Sequence, residues 1–360
     1  MKKKIVIALI VIVGGALLIL PLLKSDPTQE SGELAVFDFN QDNLAMHVGD
    51  KVDLKLRVEQ PIKSMELIMD NTVLKTWNTP TGSVVFKLKG DQELMGGHRL
   101  TLRATDNDGN KNTDYLMLRV LSDIEPEQLI AKIEGSYPHL SSSYTQGLAF
   151  YQGRLFEGTG DPGRAGKTIV AEVDLASGKW KEGKFMGLGP TRFGEGITIL
   201  NEKLYQLTWQ SQVCYVYDAN DLHGNIQELT YIGEGWGLCN DGESLIMSSG
   251  SERIVFRDPL SFTTTRTIDV YDNTGPISNL NELEYIDGLI YANVYQTSMV
   301  VVVDPETGKV LKTIDASELV KSTDGRGDVL NGIAFDSETN KTYMTGKYWS
   351  KMFKVKFEKK

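Results

Sequence analysis

Between Leu34 and about Asp123, apolar and polar residues alternate with a period of two, as in Val52-Asp53-Leu54-Lys55-Leu56-Arg57-Val58 and Arg99-Leu100-Thr101-Leu102-Arg103-Ala104. Such alternation places the apolar side chains on one face of a strand. Turn-forming stretches recur between these runs, namely Val48-Gly49-Asp50, Asp70-Asn71 and Asp106-Asn107-Asp108-Gly109-Asn110. About seven strands in about 90 residues predict a small immunoglobulin-like β-sandwich over residues 34–123. Asp106 to Asn110 invites a calcium reading. It lacks the acidic residue that closes such a loop about six positions after the glycine, so a strand-connecting turn is expected.

Beyond Ile124 the pattern repeats. Five segments open alike: Gln146-Gly147-Leu148-Ala149-Phe150, Glu195-Gly196-Ile197-Thr198-Ile199, Glu234-Gly235-Trp236-Gly237-Leu238, Asn281-Glu282-Leu283-Glu284-Tyr285 and Asn331-Gly332-Ile333-Ala334-Phe335. Their starts lie 49, 39, 47 and 50 residues apart. Each is followed by a polar turn and a second apolar run, and in four repeats a third strand leads to a turn such as Asp304-Pro305-Glu306-Thr307-Gly308. Units of about four strands without intervening helices read as propeller blades. The sequence therefore predicts an all-β chain in which a five-bladed β-propeller over residues 124–360 follows the sandwich. The last repeat ends after three strands, so the segment Gln128 to Glu134 is expected to complete that sheet and close the ring.

The N-terminus has a different pattern. Lys2, Lys3 and Lys4 precede an uncharged apolar run from Ile5 to Leu23, closed by Lys24. This is the order of an export signal or signal anchor, and the run is near the length that spans a bilayer. Residues 1–24 are expected to form an uncleaved membrane helix, with a cleaved, secreted form as the alternative, and residues 25–33 a linker. The lysines before the run place the rest of the chain outside the cytoplasm, in the periplasm or at the cell surface.

Composition narrows the chemistry. The 360 residues carry 38 Lys plus Arg against 48 Asp plus Glu, a net charge of −10 that opposes phosphate backbones, so nucleic acid is not an expected partner. Two cysteines and four scattered histidines cannot build a thiolate zinc site, and a histidine-based metal centre is not expected. Gly166-Lys167-Thr168 resembles the end of a phosphate-binding loop, but Asp161 stands where that motif needs a glycine. A glycine-rich surface loop is expected there.

The first strand of each blade in a propeller lines the central channel, so the polar residues opening those strands, Gln146, Glu195, Glu234, Asn281 and Asn331, can face the axis. Phe193, Trp209, Trp236, Tyr295 and Trp349 accompany the openings. Several aromatics at one mouth around a carboxylate and amides would form a pocket for an organic ligand.

At these residues the sequence resembles the plant-type glutaminyl-peptide cyclotransferases, the glutaminyl cyclases of bacteria and plants. The resemblance spans roughly Ser136 to Phe357. It is carried by Ser136-Tyr137-Pro138-His139, Tyr144-Thr145-Gln146-Gly147-Leu148, Arg192-Phe193-Gly194-Glu195-Gly196, Tyr205-Gln206-Leu207-Thr208-Trp209, Glu234-Gly235-Trp236-Gly237-Leu238, Leu280-Asn281-Glu282-Leu283-Glu284-Tyr285, Leu330-Asn331-Gly332-Ile333-Ala334 and Thr345-Gly346-Lys347-Tyr348-Trp349. It implies a five-bladed propeller and an intramolecular aminolysis, in which the α-amine of an N-terminal glutamine closes on its own carboxamide to give pyroglutamate and ammonia. The implied catalytic residues are Glu195, to bind the amine and accept its proton, Asn281, as a donor to the oxyanion, and Lys347, to protonate the leaving amine or stabilise the oxyanion. Gln146 would orient the substrate amide, with Phe193, Trp209 and Trp236 as a water-excluding wall. Where the family has a further tryptophan, this chain has Tyr295, which keeps the aromatic wall and adds a hydroxyl. No cofactor is implied, a structural calcium ion in the channel is compatible, and the implied partners are peptides or proteins beginning with glutamine. The sandwich lies outside the resemblance and reads equally as a spacer, a partner-binding module or a lid. The alternative for the whole chain is an extracytoplasmic propeller that binds peptides or other ligands without catalysis.

Overall fold

The computed structural model describes residues 33–39, 43–161, 163 and 168–360. The apolar segment 1–24, residues 25–32 of the linker and the Gly166-Lys167 pair lie outside the described residues. No described helix is long and apolar enough to cross a membrane.

The alternating segment folds as two sheets. Ala35–Phe37, Lys51–Val58 and Ser83–Lys89 form one, and Asn43–His47, Lys111–Leu121, Gly96–Thr105, Ser64–Met69 and Thr72–Asn78, in that spatial order, form the other. Period two is visible in Lys51–Val58, where Leu54 and Leu56 are buried while Lys55 and Arg57 are exposed. These leucines share one core with Leu67, Leu100, Leu102, Leu116 and Leu118 of the second sheet. Asp106 Oδ1 accepts the backbone N–H groups of Asp108 and Asn110 at 2.9 and 2.8 Å, which makes this stretch a side-chain-capped turn.

The repeats form three four-stranded sheets and one of eight strands. The four-stranded sheets begin with Tyr144–Tyr151, Gly194–Leu200 and Leu238–Asn240. In the eight-stranded sheet, the fourth repeat (Leu280–Ile286 to Val310–Asp315) and the fifth (Leu330–Asp336, Lys341–Gly346, Lys351–Lys359) are joined by Glu127–Pro138. That strand runs antiparallel to Lys351–Lys359, completing the last repeat with chain that precedes the first, and its start also pairs in parallel with Val310–Asp315.

The first strands pack against one another in a closed circuit, the fifth meeting the first. Four of them carry a register irregularity at the opening motif. Such bulges break the alternation and re-aim side chains, here the opening polar residues. At the centre the backbones nearly touch. A Cβ on Gly147 would overlap Gly196 and the Ile197 nitrogen, one on Gly196 would overlap Trp236 and Leu238, and one on Gly237 would overlap the Asn281 carbonyl.

This circuit corrects the register of the third repeat. The counterpart of Gln146-Gly147-Leu148 is Trp236-Gly237-Leu238, and Glu234-Gly235 lies before the strand. Two glycines at this opening offer two frames, and contact with the neighbouring backbones selects the second. In the fourth repeat Glu282 takes the glycine position, and its carboxylate accepts the N–H groups of Leu148 at 3.2 Å and Ile333 at 2.8 Å, tying three first strands together. Burial foremost, then the neighbouring Glu284, pushes this carboxyl well above the usual carboxylate range.

Gly237→Ala is expected to destabilise the fold by about 1–3 kcal/mol or more, because backbone rather than a flexible side chain must yield. Urea denaturation measures this, and a loss under about 0.5 kcal/mol would contradict the close-packed circuit.

Candidate active site

The bulged openings, together with the turns beside them, enclose a pocket of about 410 Å³ lined by Tyr144, Gln146, Phe193, Glu195, Trp209, Trp236, Asn281, Tyr295 and Lys347. All eight residues given a catalytic or substrate-binding role in the sequence lie there, while Glu234, Asn331 and Trp349, which the repeat pattern also pointed to the channel mouth, are not in its lining. Tyr144 joins the eight. It stands two positions before Gln146 in a quoted motif, and its aromatic character was the signal available for it.

Glu195 is 5% exposed and Lys347 is 2% exposed. Among the described residues, none donates a hydrogen bond to the Glu195 carboxylate. Burial raises its pKa well above the carboxylate range, against the pull of Lys347 and helped by Glu234. Burial likewise lowers the Lys347 ammonium to about 8, while Glu195 and Asp328 favour its charged form. The Lys347 Nζ lies 4.6 Å from the centre of the Tyr144 ring and 4.9 Å from that of Tyr295, so two aromatic faces replace part of its lost hydration.

The amides are oriented by their neighbours. Asn331 Nδ2 donates to the Thr145 carbonyl at 3.0 Å, a contact that only a nitrogen can make, and the same atom faces Gln146 Oε1 at 3.3 Å. Gln146 therefore keeps its Nε2 donor for the pocket. Asn281 Oδ1 is buried without a partner and is an unused acceptor.

Tyr144 is held from behind. The buried Glu157 carboxylate accepts His139 Nε2 at 3.0 Å, Thr145 Oγ1 at 2.7 Å and Ser143 Oγ at 3.2 Å, and His139 Nδ1 faces the Trp349 carbonyl at 2.7 Å. With an acceptor at each ring nitrogen His139 is an imidazolium. Burial opposes that charge, but Glu157 and the Trp349 carbonyl outweigh it and raise its pKa.

Among the described residues, no group of three or more His, Cys, Asp or Glu side chains converges as a metal site.

The sequence profile of the Glutamine cyclotransferase family matches residues 112–357. The chain belongs to that family. It is 36% identical over 233 residues to a glutaminyl-peptide cyclotransferase of Arabidopsis thaliana, covering 63% of this chain and 71% of the relative. The crystal structure of a glutaminyl cyclase from Myxococcus xanthus superposes with a TM-score of 0.61 at 34% identity, covering 66% of this chain and all of that one. The part of the chain left over is mainly the two-sheet sandwich, and all of the pocket falls within the matched range.

Proposed function

We infer that this family member is a glutaminyl-peptide cyclotransferase that converts an N-terminal glutamine to pyroglutamate with release of ammonia. The observation that carries the reading is the convergence in one aromatic pocket of a buried, hydrogen-bond-free carboxylate with an ammonium and two carboxamides. A free N-terminal amine has a reference pKa of about 7.7–8.0, so much of the substrate arrives as an ammonium ion. Its charge compensates that of Glu195, which then accepts a proton and frees the nitrogen lone pair. That nitrogen attacks the side-chain amide carbon. A new C–N bond forms while negative charge gathers on the amide oxygen, where Gln146 Nε2 and Lys347 supply positive hydrogen-bond donors. Asn281, whose Oδ1 is turned away into the protein, adds its Nδ2 as a further donor to that oxygen, the role the resemblance implies. Protonation of the departing nitrogen by Lys347 breaks the original C–N bond and ammonia leaves; the attacking nitrogen, which still carries two hydrogens after the attack, returns one of them to the lysine, and the proton taken by Glu195 departs with ammonia as ammonium. The aromatic walls exclude water, which would otherwise compete for the amide carbon.

The same reading covers the architecture. The closed circuit of five first strands supports a five-bladed propeller over residues 124–360, and the two sheets with one core support an immunoglobulin-like domain over residues 34–123. The lysine-flanked apolar run supports a membrane anchor at residues 1–24 with the folded body outside the cytoplasm.

The test is ammonia release from peptides that begin with glutamine, in the presence of a chelator, with an Nα-acetylated peptide as control. Turnover of the free peptide alone is expected. Silence on several such peptides from a folded sample would favour a binding propeller, and loss of activity on chelation would contradict a reaction run by these side chains alone.

A further inference from the structure

Glu234 is not among the residues that line the pocket, yet three side chains converge on it. Its Oε2 accepts the indole N–H of Trp209 at 2.8 Å and that of Trp236 at 3.0 Å, and its Oε1 accepts Gln210 Nε2 at 2.9 Å. The two indoles come from different repeats, Trp209 from the turn after Lys203–Thr208 and Trp236 from the opening before Leu238–Asn240. From Trp209 the wall continues to Phe193 at 5.7 Å between ring centres and on to Tyr144 at 6.1 Å, and Trp236 meets Tyr295 edge-on at 5.6 Å. Glu234 thus closes the one gap in the aromatic wall that Lys347 does not bridge.

We propose that Glu234 is a positioning residue that clamps Trp209 and Trp236 into the two facing walls that hold the substrate's glutamine; the proposal rests on the cyclase reading of this pocket. Trp209 is 37% exposed and sits on a turn, so edge contact with Phe193 alone would leave its indole free to change rotamer. Trp236 is better supported, because its ring lies against Gly250, where a Cβ would come within 2.7 Å of it. One carboxylate oxygen shared by two indoles fixes the spacing between the walls, and hydrogen bonds to a charged acceptor are the stronger kind. Burial tends to raise the Glu234 carboxyl, but the bonds from Gln210, Trp236 and Trp209 prevail and keep it ionised.

The test compares Glu234→Ala and Glu234→Gln with wild type in the full chain, by steady-state kinetics on a Gln-initiated tripeptide and by near-ultraviolet circular dichroism of the substrate-free proteins. In the alanine variant KM is expected to rise by about tenfold with kcat changed by less than about threefold, as for loss of binding common to ground and transition states. The indole dichroism is expected to weaken. The glutamine variant, which keeps one neutral acceptor oxygen, is expected to fall between. An unchanged KM and unchanged indole spectrum would overturn the proposal, as would a lower melting temperature with KM unmoved. If wild type turns over no Gln peptide, the cyclase reading fails, and the indole spectrum alone then decides whether the clamp exists.

Discussion

Glu195→Gln is expected to lower kcat/KM on a Gln-initiated peptide by about 10³-fold, within the range for loss of a general base. Glutamine matches glutamate in shape, so the pocket survives, but it cannot accept the amine proton and offers no charge to the arriving ammonium. Wild-type Glu195 suits the proposed role because burial raises its pKa and, among the described residues, no donor competes for its oxygens. A carboxylate held in the usual range would be too weak a base to draw a proton from an amine near neutrality. Fold integrity is checked by circular dichroism and melting temperature. Turnover within about tenfold of wild type from a folded Glu195→Gln sample would remove Glu195 from the proton transfer.

In the proposed mechanism Lys347 governs the alkaline side. Its ammonium titrates near 8, lowered by burial despite the favourable charges of Glu195 and Asp328. The working form is protonated, so activity is expected below that value and is lost as pH rises through it. Lys347→Met is expected to reduce kcat/KM by about 10²–10³-fold, the scale of losing one donor to a developing oxyanion. Lys347→Arg separates charge from geometry. Its guanidinium stays protonated at every accessible pH, so the residual activity is expected to lose the decline near pH 8. The substrate amine titrates in the same range in both proteins, so only the difference between their pH profiles counts. An identical alkaline limb in wild type and Lys347→Arg would assign it to the substrate and contradict the role given to the lysine.

Much of this site is legible in the sequence, because the five openings recur and four of them bring a polar residue, the third Trp236, to the same level of the fold. The third opening shows the limit. Glu234-Gly235 and Trp236-Gly237 fit the repeat equally well as strings, and only the overlap that a Cβ on Gly237 would make with the Asn281 carbonyl decides between them. Hydrogen-bond polarity is also invisible in one dimension. Asn331 sets which end of the Gln146 carboxamide faces the pocket from 185 residues away. The welding of the fourth and fifth repeats into one sheet is a further case, since the strand Glu127–Pro138 pairs with two partners while its sequence announces a single edge.

The central claim is that the substrate's own α-nitrogen, and not water, attacks the side-chain amide. The most direct measurement is product mass from a Gln-initiated peptide turned over in ¹⁸O-labelled water, with the side-chain nitrogen labelled as ¹⁵N. The account predicts a product lighter than the substrate by one labelled ammonia and free of ¹⁸O, with all of the ¹⁵N in the ammonia released. A product heavier than that by one molecule of labelled water would mean hydrolysis to glutamate, and would contradict the cyclisation mechanism.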